Sequence, residues 1–169
     1  MNAVAADIRS RTITWSDPTP DMAAMKSMTG LEYFRYLLKD PDSMMRVPIG
    51  RTLDFKLVAV EHGVAVFEGM PGEFLYNPIG TVHGGVAATY LDSALGCAVH
   101  TTLQPGFAYT TVELKVNYVR PMTVKTGKVR CEGRVIHVGN RIATAEAKLI
   151  DTEGKLYAHG STTCLIFPM

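Results

Sequence analysis

Asp92 is the only formally charged residue between Gly84 and Leu103, in a stretch that is otherwise apolar or small. Burying an ionised carboxylate in such surroundings costs on the order of several kcal/mol unless it is paired or hydrogen-bonded. Asp92 is therefore either a structural acid, satisfied by a hydroxyl such as Ser93 or by backbone amides, or an acid with a chemical task. The sequence His83-Gly84-Gly85 opens the same stretch. If the stretch is a helix, its first-turn amides are unpaired and its dipole favours negative charge there. The Gly84 amide has no side chain to block approach, so it suits a developing oxyanion. A carboxylate together with such an amide could attack a carbonyl and stabilise the charge that results.

Spacing constrains how these groups could meet. Gly84 and Asp92 are eight residues apart, which along a helix is about 12 Å. His83 and Asp92 differ by roughly 900° of helical rotation and point to opposite sides. Acid and oxyanion donor must each lie about 3 Å from one reacting carbonyl. One subunit cannot assemble that site from this helix. Two subunits can, if a two-fold axis brings Asp92 of one opposite Gly84 of the other. The spacing predicts a homodimer with two equivalent composite sites.

The elements that must position these groups are legible from periodicity. Residues 1 to about 28 are polar, with two prolines and no sustained period, and read as a loosely held arm. In TGLEYFRYLLKD, 29–40, Leu31, Phe34, Leu37 and Leu38 fall at helical spacing after a Thr29 N-cap. PDSMMRVPIG reads as a loop. From Arg51 the period becomes two, giving two strands around a tight turn at His62-Gly63. The long apolar helix from 83 to about 102 follows. After it come three or four long strands, with hairpin turns at Gly139-Asn140 and Glu153-Gly154, where glycine accepts a positive φ. No βαβ alternation is present, which argues against a doubly wound fold. The class is α+β, and a helix apolar on nearly all sides requires the sheet to curl around it.

The bulk numbers fit one domain with a full core: 169 residues, 47% hydrophobic, 20% charged, net charge +1. Overall charge gives no reason to expect nucleic acid or a membrane surface as partner. Cys97, Cys131 and Cys164 are odd in number and far apart, with no metal-ligand spacing, so no metal is expected and a reducing, cytoplasmic location is. The N-terminus has no apolar core of signal-peptide length, and no run approaches the ~18 apolar residues of a spanning helix.

Asn77, then His83-Gly84-Gly85, then Asp92, opening an apolar helix between a β-hairpin and the strand TTVELKVNYVRP, resembles the hot-dog-fold acyl-CoA thioesterases of the phenylacetate-degradation type. The resemblance covers roughly residues 48–167. It implies a long helix wrapped by a curved antiparallel sheet over 48–169, with 1–47 as an arm and short helix that could form a pocket lid. It further implies hydrolysis of an acyl-CoA carrying an aromatic or medium-chain acyl group, in homodimers that pair into dimers of dimers. By the same resemblance Asp92 is general base or nucleophile, the Gly84 amide polarises the thioester carbonyl, and Asn77 and His83 orient the thioester and its surroundings. No cofactor is implied beyond the coenzyme A of the substrate.

A hydroxyl residue on the next strand, which positions the acid or water in that family, matches Thr111. Simple alternation in TTVELKVNY groups Val112, Leu114, Val116 and Tyr118 against Thr111, Glu113, Lys115 and Asn117. That places Thr111 on the polar face unless the strand end twists. Residues 115–141 hold seven basic residues against Glu132 alone, a local charge of +6. Such a face suits the coenzyme A phosphates, with Arg120, and Arg141 beside the Gly139 turn, as candidates, or it is a solvated sheet face. Phe34, Leu37 and the MMRVPIG loop could wall the acyl pocket or simply cap the core. Two other readings stand beside hydrolysis: a hydratase or dehydratase on the same fold, and a non-catalytic acyl-CoA-binding module. Cys97 stands where an Asp-x4-His hydratase motif needs its histidine, and a module that only binds has no use for the acid.

Overall fold

The computed structural model describes residues 7–40 and 42–169. Two helices precede the sheet. α1 (Met22–Ser27) is a short turn capped by Asp21. α2 (Gly30–Lys39) has the expected Thr29 N-cap, completed by Glu32 into a capping box. Phe34 and Leu38 turn its apolar face onto the core. The following segment is not a loop throughout. Ser43–Arg46 makes a 3-10 turn, and Pro48–Leu53 forms α3 with proline in its first turn. Six residues are too few to display a helical period, although Pro48 is pre-organised for a helix start. α3 ends at Asp54 in the left-handed region (φ 60°, ψ 51°), and the alternation of two begins only at Phe55.

The arm is held rather than loose from residue 7 onward; its first six residues lie outside the described region. The Arg11 guanidinium donates to Thr52 O at 2.7 Å and Arg51 O at 3.0 Å and lies 3.8 Å over the Phe74 ring. Arg51 Nε donates to Thr14 O at 3.2 Å, and the Ser16 amide to Met45 O at 2.9 Å. Side-chain-to-backbone bonds of this kind leave no periodic trace in a sequence.

Six strands form one antiparallel sheet: β1 (Phe55–Glu61), β2 (Val64–Gly69), β3 (Phe107–Tyr118), β4 (Val129–Val138), β5 (Ile142–Asp151) and β6 (Leu156–Pro168), in spatial order β1-β2-β4-β5-β6-β3. The hairpins fall where expected, with Gly63 at φ 75° and Gly154 at φ 81°. Gly139 is not at positive φ; its amide closes the β4–β5 turn by donating to Ile142 O at 2.8 Å.

α4 (Gly84–His100) packs against all six strands. Six strands at about 4.8 Å spacing are wider than a helix of ~10 Å diameter, so the sheet must curl round it. Large side chains on α4 (Tyr90, Leu91, Leu95, Val99) meet small ones on the strands (Ala65, Ala143, Ala145, Ala147), all buried. At Gly133 of β4 a Cβ would come within 2.2 Å of Ala94 O, so only glycine admits the helix this closely. The enclosure is incomplete. Gly85, Ala88, Thr89, Asp92 and Ser93 form one stripe of α4 that the sheet leaves partly open. Among the described residues no helix is long and apolar enough to cross a membrane.

Candidate active site

The loop 77–83 sets how the chain enters α4. The Asn77 carboxamide oxygen accepts from the amides of Ile79 (3.1 Å) and Thr81 (3.2 Å), and its nitrogen donates to Thr81 Oγ1 at 3.0 Å. The His83 and Val82 amides bond Leu75 O and Met122 O, fixing the last step before the helix. Asn77 thus shapes the loop that presents the helix start, and its own polar atoms are engaged there. His83 is the N-cap, and its Nδ1 accepts from the Gly85 amide at 2.9 Å. The Val86 amide is taken by His83 O. Among the described residues the Gly84 amide meets no acceptor, and the Tyr118 ring lies beside it: a Cβ on Gly84 would sit 3.2 Å from that ring.

Eight residues after Gly84, on the partly open stripe of α4, Asp92 is half-buried, and its Oδ1 accepts from Thr111 Oγ1 at 2.9 Å. The partner hydroxyl is Thr111 and not Ser93. Strict alternation would have aimed Thr111 away from the helix. A register shift between Thr111 and Glu113, where β3 pairs with β6, absorbs Val112 as an extra residue. Tyr109 and Thr111 before the bulge therefore share the inner face with Leu114, Val116 and Tyr118 after it, while Val112 is 56% exposed. The grouping of Val112 with Leu114 is corrected accordingly.

Asp92 opens onto a cavity of about 260 Å³. Phe34 and Leu37 of α2, Val47, Ile49 and Gly50 of the α3 segment, Phe55 and Leu57 of β1, and Phe67 of β2 make it mostly apolar. The helix at 29–40 and the segment after it are thus walls of this cavity. Ser93, Cys97 and Tyr109 line it from the α4–β3 side; alternation back from Thr111 on the inner face of β3 would have pointed to Tyr109 in the sequence. Burial pushes the Cys97 thiol up to about 12, so at neutral pH it is no thiolate nucleophile. A second opening of about 340 Å³, lined by Arg51, Asp54, Glu68 and Lys128 among others, does not include Asp92.

The candidate phosphate-binding groups are not gathered in one place. Arg120 follows the end of β3 nearest Gly84, and its guanidinium donates to Leu156 O at 2.6 Å. Arg141 and Gly139 lie in the β4–β5 hairpin; Arg141 O accepts from the Ile166 amide, opposite Tyr109, at the other end of β3. Glu68 of β2, outside that segment, offsets part of the local +6 by pairing with Lys128 and Arg130, while Glu132 pairs with Arg130 and Arg134 within β4. Among the described residues no group of three His, Cys, Asp or Glu side chains could hold a metal ion.

With this geometry in view, the comparisons with known proteins are specific. The thioesterase superfamily matches residues 79–158, which span the loop, α4, β3 and the strands that follow to β6. A Saccharolobus solfataricus protein named as an esterase is 33% identical over 110 residues, 65% of this chain and 76% of the relative. The chain belongs to the thioesterase superfamily. Its fold is the hot-dog fold, and its activity is the hydrolysis of acyl thioesters. The 1,4-dihydroxy-2-naphthoyl-CoA hydrolase of Listeria monocytogenes is 27% identical to this thioesterase over 62% of the chain and 84% of that enzyme. The Escherichia coli PaaI protein of the phenylacetic acid degradation operon has the same fold at 15% identity, with a TM-score of 0.68 over 84% of this chain and 96% of that one.

Proposed function

We propose that this thioesterase hydrolyses an acyl-CoA with an aromatic or medium-chain acyl group, at sites shared between two protomers. The observation that carries this reading is the Asp92 carboxylate, held by Thr111 at 2.9 Å and facing an apolar cavity of about 260 Å³. An acyl group lying in that cavity brings its thioester carbonyl to the acid. Coenzyme A as the leaving group is supported by the name of the Listeria relative.

Asp92 is the general base that deprotonates a water molecule, or the nucleophile that attacks the carbonyl itself. In the first case the water oxygen bonds to the carbonyl carbon, its proton passes to Asp92, and collapse of the tetrahedral intermediate expels the CoA thiolate, which takes that proton. The oxyanion is met by the free Gly84 amide at the positive end of a seventeen-residue helix. Thr111 fixes the carboxylate and leaves its second oxygen for the substrate side. His83 and Asn77 hold the helix start in place.

Within one protomer Asp92 and the Gly84 amide remain about 12 Å apart along α4. β3 supplies the means of joining them. It is an edge strand of twelve residues with Val112 56% and Tyr118 59% exposed, a surface that invites pairing with another strand. Thr111 marks the Asp92 site along β3, and Tyr118 marks the Gly84 site. Antiparallel pairing of two β3 strands about an axis between Leu114 and Lys115 sets Thr111 of one protomer opposite Tyr118 of the other. Asp92 then approaches the other protomer's Gly84, twice per dimer. The same axis carries the Arg141 end of one protomer toward the Arg120 end of the other, where the CoA phosphates are assigned. Dimers of dimers, and a cytoplasmic location, complete this reading.

The test is thiol release from a panel of aliphatic and aromatic acyl-CoAs by wild type and Asp92→Asn. Wild type is expected to release CoA from at least one class, and the variant to stay dimeric while losing at least about a hundredfold in rate. Equal rates for the two proteins, or no turnover of any acyl-CoA by wild type, would overturn it.

A further inference from the structure

The Gly84 amide is not the only donor at the start of α4, because the Tyr118 ring lies against the same residue. A Cβ built on Gly84 would stand 3.2 Å from Tyr118 Cζ, 3.3 Å from Cε1 and 3.4 Å from the hydroxyl oxygen. The nitrogen of a residue is about 2.5 Å from its own Cβ, so the Tyr118 oxygen lies within about 6 Å of the Gly84 nitrogen. Two donors that share one acceptor at hydrogen-bond distance are separated by no more than about 6 Å. The phenol and the amide meet that condition.

Both donors stand on backbone that is tied down. Tyr118 ends β3, paired with Ala158 of β6. The next two amides, of Val119 and Arg120, both donate to Tyr157 O, at 2.8 and 3.1 Å. The Val82 amide, two residues before α4, donates to Met122 O at 2.9 Å and joins the helix entry to the segment after β3. Donors held in this way cost no reorganisation when charge develops beside them. The hydroxyls of Tyr76 and Tyr157 are engaged by the Val124 amide and the Asp151 carboxylate, whereas that of Tyr118 meets no partner among the described residues. Packing of the ring on Gly84 would be served equally well by phenylalanine.

The β3 pairing of the proposed dimer brings the same tyrosine to the reacting centre. Tyr118 and Thr111 share the inner face of β3 and fall opposite one another across the two-fold axis, their Cα atoms about 4.5–5.5 Å apart. Thr111 holds Asp92 at 2.9 Å, so the phenol stands between Gly84 of its own protomer and Asp92 of the other. Tyr118 is 59% exposed in a single protomer, and the opposing strand covers it in the dimer. A thioester carbonyl attacked from the Asp92 side turns its oxygen toward Gly84, and so toward the Tyr118 hydroxyl.

We propose that Tyr118 is a catalytic residue whose hydroxyl donates a second hydrogen bond to the thioester oxyanion, beside that of the Gly84 amide. It donates a hydrogen bond only, and no proton changes hands. The inference rests on the thioesterase reading and on the site shared between protomers.

Tyr118→Phe keeps the ring against Gly84 and removes only the hydroxyl. Circular dichroism and gel filtration establish that the variant folds and assembles as wild type does. Its kcat for the best acyl-CoA is expected to fall about ten- to a hundredfold with KM little changed. A second readout does not depend on turnover: the infrared carbonyl stretch of bound octanoyl and benzoyl ketone analogues of CoA, in which CH2 replaces the thioester sulfur. Wild type is expected to move that stretch to lower frequency than in water, and Tyr118→Phe to lose part of the shift. A stretch unchanged by the substitution overturns the proposal even where kcat falls, since the hydroxyl would then serve Asp92 rather than the carbonyl oxygen. An unchanged kcat in an active enzyme overturns it as well. If wild type cleaves no acyl-CoA but the bound ketone shows the Tyr118-dependent shift, the donor assignment stands and the hydrolysis reading fails. If neither analogue binds, the assignment fails.

Discussion

The bond from Thr111 to Asp92 is a hydrogen bond to a charged group, a class that contributes about 1.5–3 kcal/mol. Thr111→Val is nearly isosteric and removes only the donor. It is expected to lower kcat about ten- to a hundredfold with little change in KM, and Thr111→Ser to restore most of the rate; steady-state kinetics on the best acyl-CoA checks this. An ordinary strand threonine would show neither the loss nor the rescue. His100 gives a residue-scale prediction of another kind. It is 7% exposed at the end of α4, packed edge-on against Phe34 at 5.1 Å and near Tyr33 and Tyr109. Burial holds its pKa below 6.5. The unfolded chain therefore binds the proton more readily than the fold. Stability is flat above about pH 6.5 and falls as pH drops from there toward the folded value. Urea midpoints at pH 7.5 and 5.5 are expected to differ in that direction, and His100→Phe to shrink the difference.

At the scale of elements, the start of α4 separates the backbone donor from the side chains around it. Gly84 occupies the first helical position, and His83 before it has extended geometry, φ −60° and ψ 137°. Both conditions suit proline, which belongs at the first turn of a helix and requires an extended residue before it. Gly84→Pro thus deletes one N–H while the helix keeps its cap. The expected loss in kcat is about 10²–10³-fold, the usual effect of one oxyanion donor. Gly84→Ala keeps the N–H and meets only the edge of the Tyr118 ring at 3.2–3.4 Å, so most of the activity is expected to remain. If alanine and proline are equally harmful, crowding against Tyr118 rather than the amide explains the loss.

For the whole molecule, the composite site makes the two defects complementary. An Asp92→Asn protomer still supplies Gly84, and a Gly84→Pro protomer still supplies Asp92. A heterodimer of the two contains one intact site out of two. Refolding the inactive variants together at equal amounts makes about half the dimers mixed, so roughly a quarter of wild-type activity is expected to return. Thiol release from the co-refolded mixture, against each variant refolded alone, measures it. A site contained within one protomer predicts no recovery.

Much of the site could be read from the sequence because its parts are local. Asn77, His83, Gly84 and Asp92 lie within sixteen residues, and the loop, cap and helix that carry them follow from capping and helical rise. The hairpins at Gly63 and Gly154 and the Thr29 N-cap were legible for the same reason. What depended on distant segments was not. Thr111 faces Asp92 only because β3 gains a bulge at Val112 on pairing with β6, some fifty residues away; alternation alone gave the opposite face. Glu68 neutralises Lys128 across sixty positions of chain, which no local charge count reveals. α3 was too short to carry a period, and the arm is fixed by Arg11 on backbone carbonyls, which any sequence can offer. The acyl cavity is the extreme case, since its walls come from α2, α3, β1, β2, α4 and β3 together. Local spacing determined which groups could do chemistry, and long-range packing decided where they point and what shape of acyl group they meet.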